Sequence, residues 1–148
     1  LPHHLVVSSR RPAHVPDNRS PLHVLDDDDF LHELDLRYGG IPAAIRDEPE
    51  LMELLLPSLR ADIEALETFQ PRPRPPLPVP LTALGGELDA LVPLAHLEAW
   101  RAETAAGFEL KTFAGGHFYI DSHRAELVSL LTRHLNVEQV LSEGAQRG

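Results

Sequence analysis

The stretch VPLTALGGELDALVPLAHLEAWRAETAAGFELKTFAGGHFYI (79–120) decides the fold. Its first eight residues (79–86) are an apolar run closed by a glycine pair, which predicts a strand. Residues 93–107 predict a helix, with Pro93 near its start and Gly107 at its end. FELKTFAGG (108–116) is a second strand closed by a second glycine pair. DSHRAELVSLLTRHL (121–135) predicts a last helix with Asp121 as its cap. Strand, helix, strand, helix at these lengths implies parallel strands joined by crossover helices.

Working outward, HHLVVSS (3–9) has the β-branched apolar character of a buried strand, and 10–24 is polar loop. DDDDFLHELDLRYGG (26–40) predicts a helix. Asp28 or Asp29 takes the N-cap, Phe30, Leu31, Leu34 and Tyr38 recur at helical spacing, and Gly39 stops it. The four aspartates suit the positive end of a helix better than a divalent ion site. DEPELMELLLPSLRADIEALETF (47–69) is the most helical segment. Asp47 and Glu50 have capping-box spacing, and Pro57 is expected to split the segment into two helices. Leu59, Ile63, Leu66 and Phe69 form one apolar stripe. QPRPRPPLPVP (70–80) is an extended, stiff spacer that returns the chain to the core; an SH3-type ligand is the weaker reading. The tail from about residue 137 is polar and expected to be flexible.

The chain has 148 residues, 43% of them hydrophobic, which suits one globular domain. A net charge of −10 argues against nucleic acid and anionic membrane as partners, because both demand clustered Lys and Arg. No apolar run approaches the length of a spanning helix. Without cysteine there is no disulfide or thiolate metal site, and a cytoplasmic location is expected. His3 and His4 flank a strand, and His96, His123 and His134 lie on expected helices. None of them pairs with another at ligand spacing together with a carboxylate, so no metal site is expected. The chain begins at Leu1 and its single methionine is Met52, which fits a processed product, an unusual start or a fragment.

Chemistry in an open parallel sheet gathers beyond the carboxyl ends of the strands. Asp89 and His117 both fall there, each just past a Gly-Gly pair. Strands about 5 Å apart can bring the two together. A carboxylate then fixes the tautomer of the imidazole, leaving the other ring nitrogen to take a proton from a hydroxyl. An acid followed by a histidine is two thirds of a hydrolytic triad.

Several blocks together resemble the type II (editing) thioesterases of polyketide and nonribosomal peptide synthesis, a branch of the α/β-hydrolases. They are HLVVSSRRPAHVP (4–16), DDDFLHELDLRYGGIP (27–42), ELMELLLPSLRADIEALETF (50–69), VPLTALGGELD (79–89), AWRAET (99–104) and GGHFYI (115–120). The resemblance covers residues 3 to 135. It implies the C-terminal part of one thioesterase domain over 1–136, with about three parallel strands, crossover helices and a helical lid over about 26–70 that walls an acyl channel. It implies Asp89 as the acid and His117 as the base of a Ser, Asp, His triad. It also implies hydrolysis of acyl groups from the phosphopantetheine arm of acyl or peptidyl carrier proteins, with no metal or cofactor.

One departure is large. The family's serine stands in a GHSMG-like elbow upstream of its HLxxSxRRxP block, and no G-x-S-x-G occurs in these 148 residues. Ser8 and Ser9 sit at a strand end without elbow glycines and are poor nucleophile candidates. The expectation is a C-terminal part whose nucleophile lies on a missing N-terminal half. Such a chain is expected to be inactive alone and to present an unpaired strand edge that favours association. The competing readings are a remnant, or a non-catalytic module that docks carrier proteins. Acidic carriers would then meet local groups such as Arg10, Arg11 and Arg60, or apolar contacts.

Overall fold

A computed structural model describes residues 2–39 and 41–134; the expected flexible tail lies outside them. The chain divides into two compact units, Leu1–Pro12 with Arg74–Gly148, and Ala13–Pro73.

The first unit holds a parallel sheet in the order β1 (Leu5–Ser8), β2 (Leu81–Gly86), β3 (Phe108–Phe113). β2 is central and buried along its whole length, as the continuous apolar run requires of a strand covered on both faces. Side chains alternate between two clusters. Leu84 and Val6 point to the face where Phe113, Tyr119, Leu127 and Leu130 gather, with the last two coming from α5 (Arg124–His134). Leu81, Ala83, Leu5 and Val7 point to the other face, against Val92, Leu97 and Trp100. This is the α/β arrangement the sequence predicts. Beyond β2, β1 has no further strand partner among the described residues.

Two helices depart from expectation here. The 93–107 segment is helical only over α4 (Leu94–Glu98) and continues as a 3-10 turn, Ala99–Glu103. Long-range contacts draw its second half away: Trp100 Nε1 donates to the Arg10 carbonyl at 2.6 Å, and the Thr104 hydroxyl to the Val79 carbonyl at 2.6 Å. Gly107 therefore precedes a strand and ends no helix. Asp121 is not the cap of α5; it closes a separate 3-10 turn, Tyr119–Asp121, and the helix begins at Arg124.

The second unit is helical: α1 (Asp27–Tyr38), α2 (Ala43–Arg46) and α3 (Pro49–Thr68). Its core is Leu22, Phe30, Leu34 and Ile63, with Leu56 and Leu59 packed against it. The N-cap of α1 is Asp26, which accepts from the Asp29 N–H, and Gly39 ends the helix at φ +53°. Pro57 does not split α3. Met52 and Ile63, buried, and Leu56 and Leu59, partly buried, lie on either side of it and hold one helix across the lost hydrogen bond. The capping box does not form, because Glu48 is the N-cap and makes no side-chain bond. Only half of the apolar stripe is core: Leu66 is 43% and Phe69 63% exposed.

Arg60, in the LRAD turn of α3, ties down the chain before α1. Its guanidinium donates to the His23 and Leu25 carbonyls at 2.8 and 2.6 Å, pairs with Asp27, and lies over the Phe30 ring. At the far end of α3, the Glu67 carboxylate accepts from the Leu22 and His23 N–H groups and from the His23 ring, at 2.7, 3.1 and 2.6 Å. Burial works against its charge, but these bonds win and hold its pKa below the ordinary 4.5. No helix among the described residues is long and apolar enough to cross a membrane.

Candidate active site

The loops after β2 and β3 leave the same edge of the sheet and are stitched together by backbone bonds. The Glu87 N–H donates to the Phe113 carbonyl and the Leu88 N–H to the Gly115 carbonyl, both at 2.9 Å. Such closeness requires glycine: a Cβ on Gly86 would stand 2.2 Å from the Gly116 carbonyl oxygen. The glycine pairs thus bring the two chains into contact, and the side chains just beyond them follow.

Asp89 and His117 meet there. His117 Nδ1 donates to Asp89 Oδ2 at 2.9 Å. The Asp89 carboxylate is fully buried, and its other oxygen accepts from the Leu91 and Val92 N–H groups at 2.9 and 3.1 Å. With Oδ1 accepting two N–H bonds and Oδ2 facing the ring, the proton of the Asp89–His117 bond is assigned to Nδ1, which leaves Nε2 of the neutral imidazole able to accept a proton. The His117 side chain is 25% exposed, and Nε2 has no hydrogen-bond partner among the described residues. A bland role for Asp89, capping the turn into α4, is also filled, but it occupies only Oδ1. The two roles coexist.

The serines considered as nucleophiles are engaged elsewhere. Ser8 Oγ shares a hydrogen bond with Tyr119 Oη at 2.8 Å, and Ser9 Oγ donates to the His117 carbonyl at 3.3 Å. Neither contact involves the ring nitrogens of His117. Arg60, considered for docking, is committed to its own unit as described. Tyr119 was not anticipated in the site. The available signal was an aromatic with a polar tip two residues past GGH, inside an apolar run; a ring buried there must still find a partner for its hydroxyl. Burial, opposed by the Ser8 hydrogen bond and reinforced by the Asp89 charge, pushes the phenol above its ordinary value.

Comparison with known proteins gives a consistent result. The linear gramicidin dehydrogenase LgrE of Brevibacillus parabrevis is 36% identical over 88% of this chain and 50% of its own length. The thioesterase PikA5 of Streptomyces venezuelae is 39% identical over 68% of this chain and 36% of its own. Among solved structures, the thioesterase RedJ of the prodiginine pathway in Streptomyces coelicolor superposes with a TM-score of 0.78 at 32% identity. That match covers 90% of this chain and 52% of RedJ. The chain thus spans about half the length, or less, of these relatives. The family described as Thioesterase domain matches residues 1–135, which takes in all three strands among the described residues and both loops of the site, and the chain belongs to that family.

Proposed function

We propose that the chain carries the acid and base of a thioester hydrolase that removes acyl groups from the phosphopantetheine arm of carrier proteins in polyketide or nonribosomal peptide synthesis. The observation that carries this reading is the bond from His117 Nδ1 to the buried Asp89, with Nε2 left open. In the whole enzyme, Nε2 accepts the proton of a serine hydroxyl as that oxygen attacks the thioester carbonyl. Asp89 stabilises the imidazolium, which returns the proton to the departing thiolate. Water then cleaves the acyl-serine by the same proton route. The serine lies outside these 148 residues in this reading, which is supported by the absence of G-x-S-x-G and by the engagement of Ser8 and Ser9.

Residues 1–136 are read as part of one thioesterase domain, with the helical segment 26–70 as its lid and 71–80 as the return. The partners are loaded acyl or peptidyl carrier proteins, and the compartment is the cytoplasm. One relative bears the name of a dehydrogenase; the proposed reaction class follows the matched family, which is that of thioesterases.

Thiol release from a short acyl-thioester tests the reading. The 148 residues alone are expected to match the background of their His117→Ala variant. Joined in frame to the serine-bearing half of RedJ, they are expected to hydrolyse an acylated carrier protein. His117→Ala in that fusion is expected to lower the rate about a hundredfold or more. Release by the 148 residues alone that vanishes with His117→Ala would put the nucleophile inside the chain and overturn the reading.

A further inference from the structure

His117 is held to Asp89 by one ring bond, so the accuracy of the pair depends on what fixes the turn beneath it. On one side the turn is bonded to the loop after β2. On the other side it meets the end of β1. Tyr119, two residues past His117, is 1% exposed, and its ring stacks nearly parallel on Phe113 at 5.0 Å. Its hydroxyl reaches Ser8, the last residue of β1, at 2.8 Å. The next residue, Ser9, donates its hydroxyl to the His117 carbonyl and its N–H to the Leu84 carbonyl of β2, at 3.3 and 2.9 Å. Ser9 does so at φ +43°, a conformation that glycine would adopt at less cost but without the hydroxyl. A phenol is protonated at neutral pH, and burial moves that of Tyr119 further from ionising.

We infer that Ser8 and Tyr119 are positioning residues: their hydroxyl pair straps the His117 turn to β1 and so holds Nδ1 on Asp89. This rests on the reading of His117 as the base. A contact that merely satisfies a buried phenol would affect stability; a strap also governs how often the Asp89–His117 bond opens.

The measurement is the solvent-exchange rate of the His117 ring N–H, by NMR on the 148-residue chain. It needs no substrate and no nucleophile, so its outcome is independent of the thiol-release test. Ser8→Ala and Tyr119→Phe are each expected to speed exchange about fivefold, the effect of one net hydrogen bond on an opening equilibrium. Ser8→Thr keeps the hydroxyl and is expected to restore the slow rate. Leu81→Val, which trims the core at the opposite end of β2, is expected to leave the rate unchanged. Exchange unaltered in both Ser8→Ala and Tyr119→Phe would overturn the inference. So would Leu81→Val speeding exchange as much as they do.

Discussion

Gly85 and Gly86 are adjacent at the end of β2, and a methyl group added at each meets a different kind of obstacle. At Gly86 the Cβ would lie 2.2 Å from the Gly116 oxygen and 2.5 Å from the Gly115 oxygen, both backbone. Relieving the first contact to 3.0 Å, the shortest approach such atoms show, requires a shift of at least 0.8 Å (3.0 − 2.2) in the His117 turn. The 2.9 Å Leu88–Gly115 hydrogen bond joins the same two loops, and such a shift stretches it by as much as 0.8 Å where it acts along the bond, enough to break it. Overpacking of about 2 kcal/mol and the loss of one bond worth about 1 kcal/mol give roughly 3 kcal/mol for Gly86→Ala. At Gly85 the nearest atom, at 2.3 Å, is Leu97 Cδ1, the end of a side chain that can change rotamer. About 1 kcal/mol is expected for Gly85→Ala. Urea unfolding followed by Trp100 fluorescence measures both. With a slope of about 1.5 kcal/mol/M, the two midpoints should differ by about 1.3 M. If Gly86→Ala is no more destabilising than Gly85→Ala, the close approach of the two loops is not what the second glycine serves.

Pro57→Ala is expected to stabilise α3. It restores one helical bond and removes a clash, offset in part by a freer unfolded chain, for a net gain of about 2 kcal/mol in thermal or urea unfolding. Ser9→Gly relieves a left-handed backbone but gives up the hydroxyl bond to the His117 carbonyl and frees the unfolded chain, so stability is expected to stay within about 1 kcal/mol of the parent while the His117 ring N–H exchanges faster; unchanged exchange would contradict a role for that hydroxyl. The Glu67 carboxylate has a folded pKa below its ordinary value, so its contribution is complete above pH 4.5 and is lost as pH falls through the lower folded value. Helical circular dichroism should therefore decline on acidification from pH 4.5, and Glu67→Gln should start lower and decline less.

The sheet was legible because its signals are local. β2 is an apolar run and β3 sets Phe108, Leu110 and Phe113 among polar residues; a glycine pair closes the carboxyl end of each, with Asp89 three residues past the first pair and His117 immediately past the second. The errors arose where a distant group chose among local options. Each of four consecutive aspartates is a competent cap; the pairing of Arg60 with Asp27, 33 residues away, accompanies a cap at Asp26. The 93–107 segment has a helical sequence throughout, yet Thr104 bonds to Val79 and leaves the helix early. Pro57 marks a break by every local rule, and the packed residues around it override the rule. Ser8 and Tyr119 had no readable link at all, since nothing in a strand end predicts a partner 111 residues away.

That separation bears on the order of assembly. Asp89 and His117 are 28 residues apart, while the strap from Ser8 to Tyr119 closes a span of 111. Chain closure over the longer span costs about 1.2 kcal/mol more, and low-order contacts form first when other things are equal. The acid and the imidazole can therefore find each other within one strand–crossover–strand unit, before β1 is added alongside. The docking of β1 then tightens a pair that already exists, and a folding chain would carry a loosely set imidazole before it carries a fixed one.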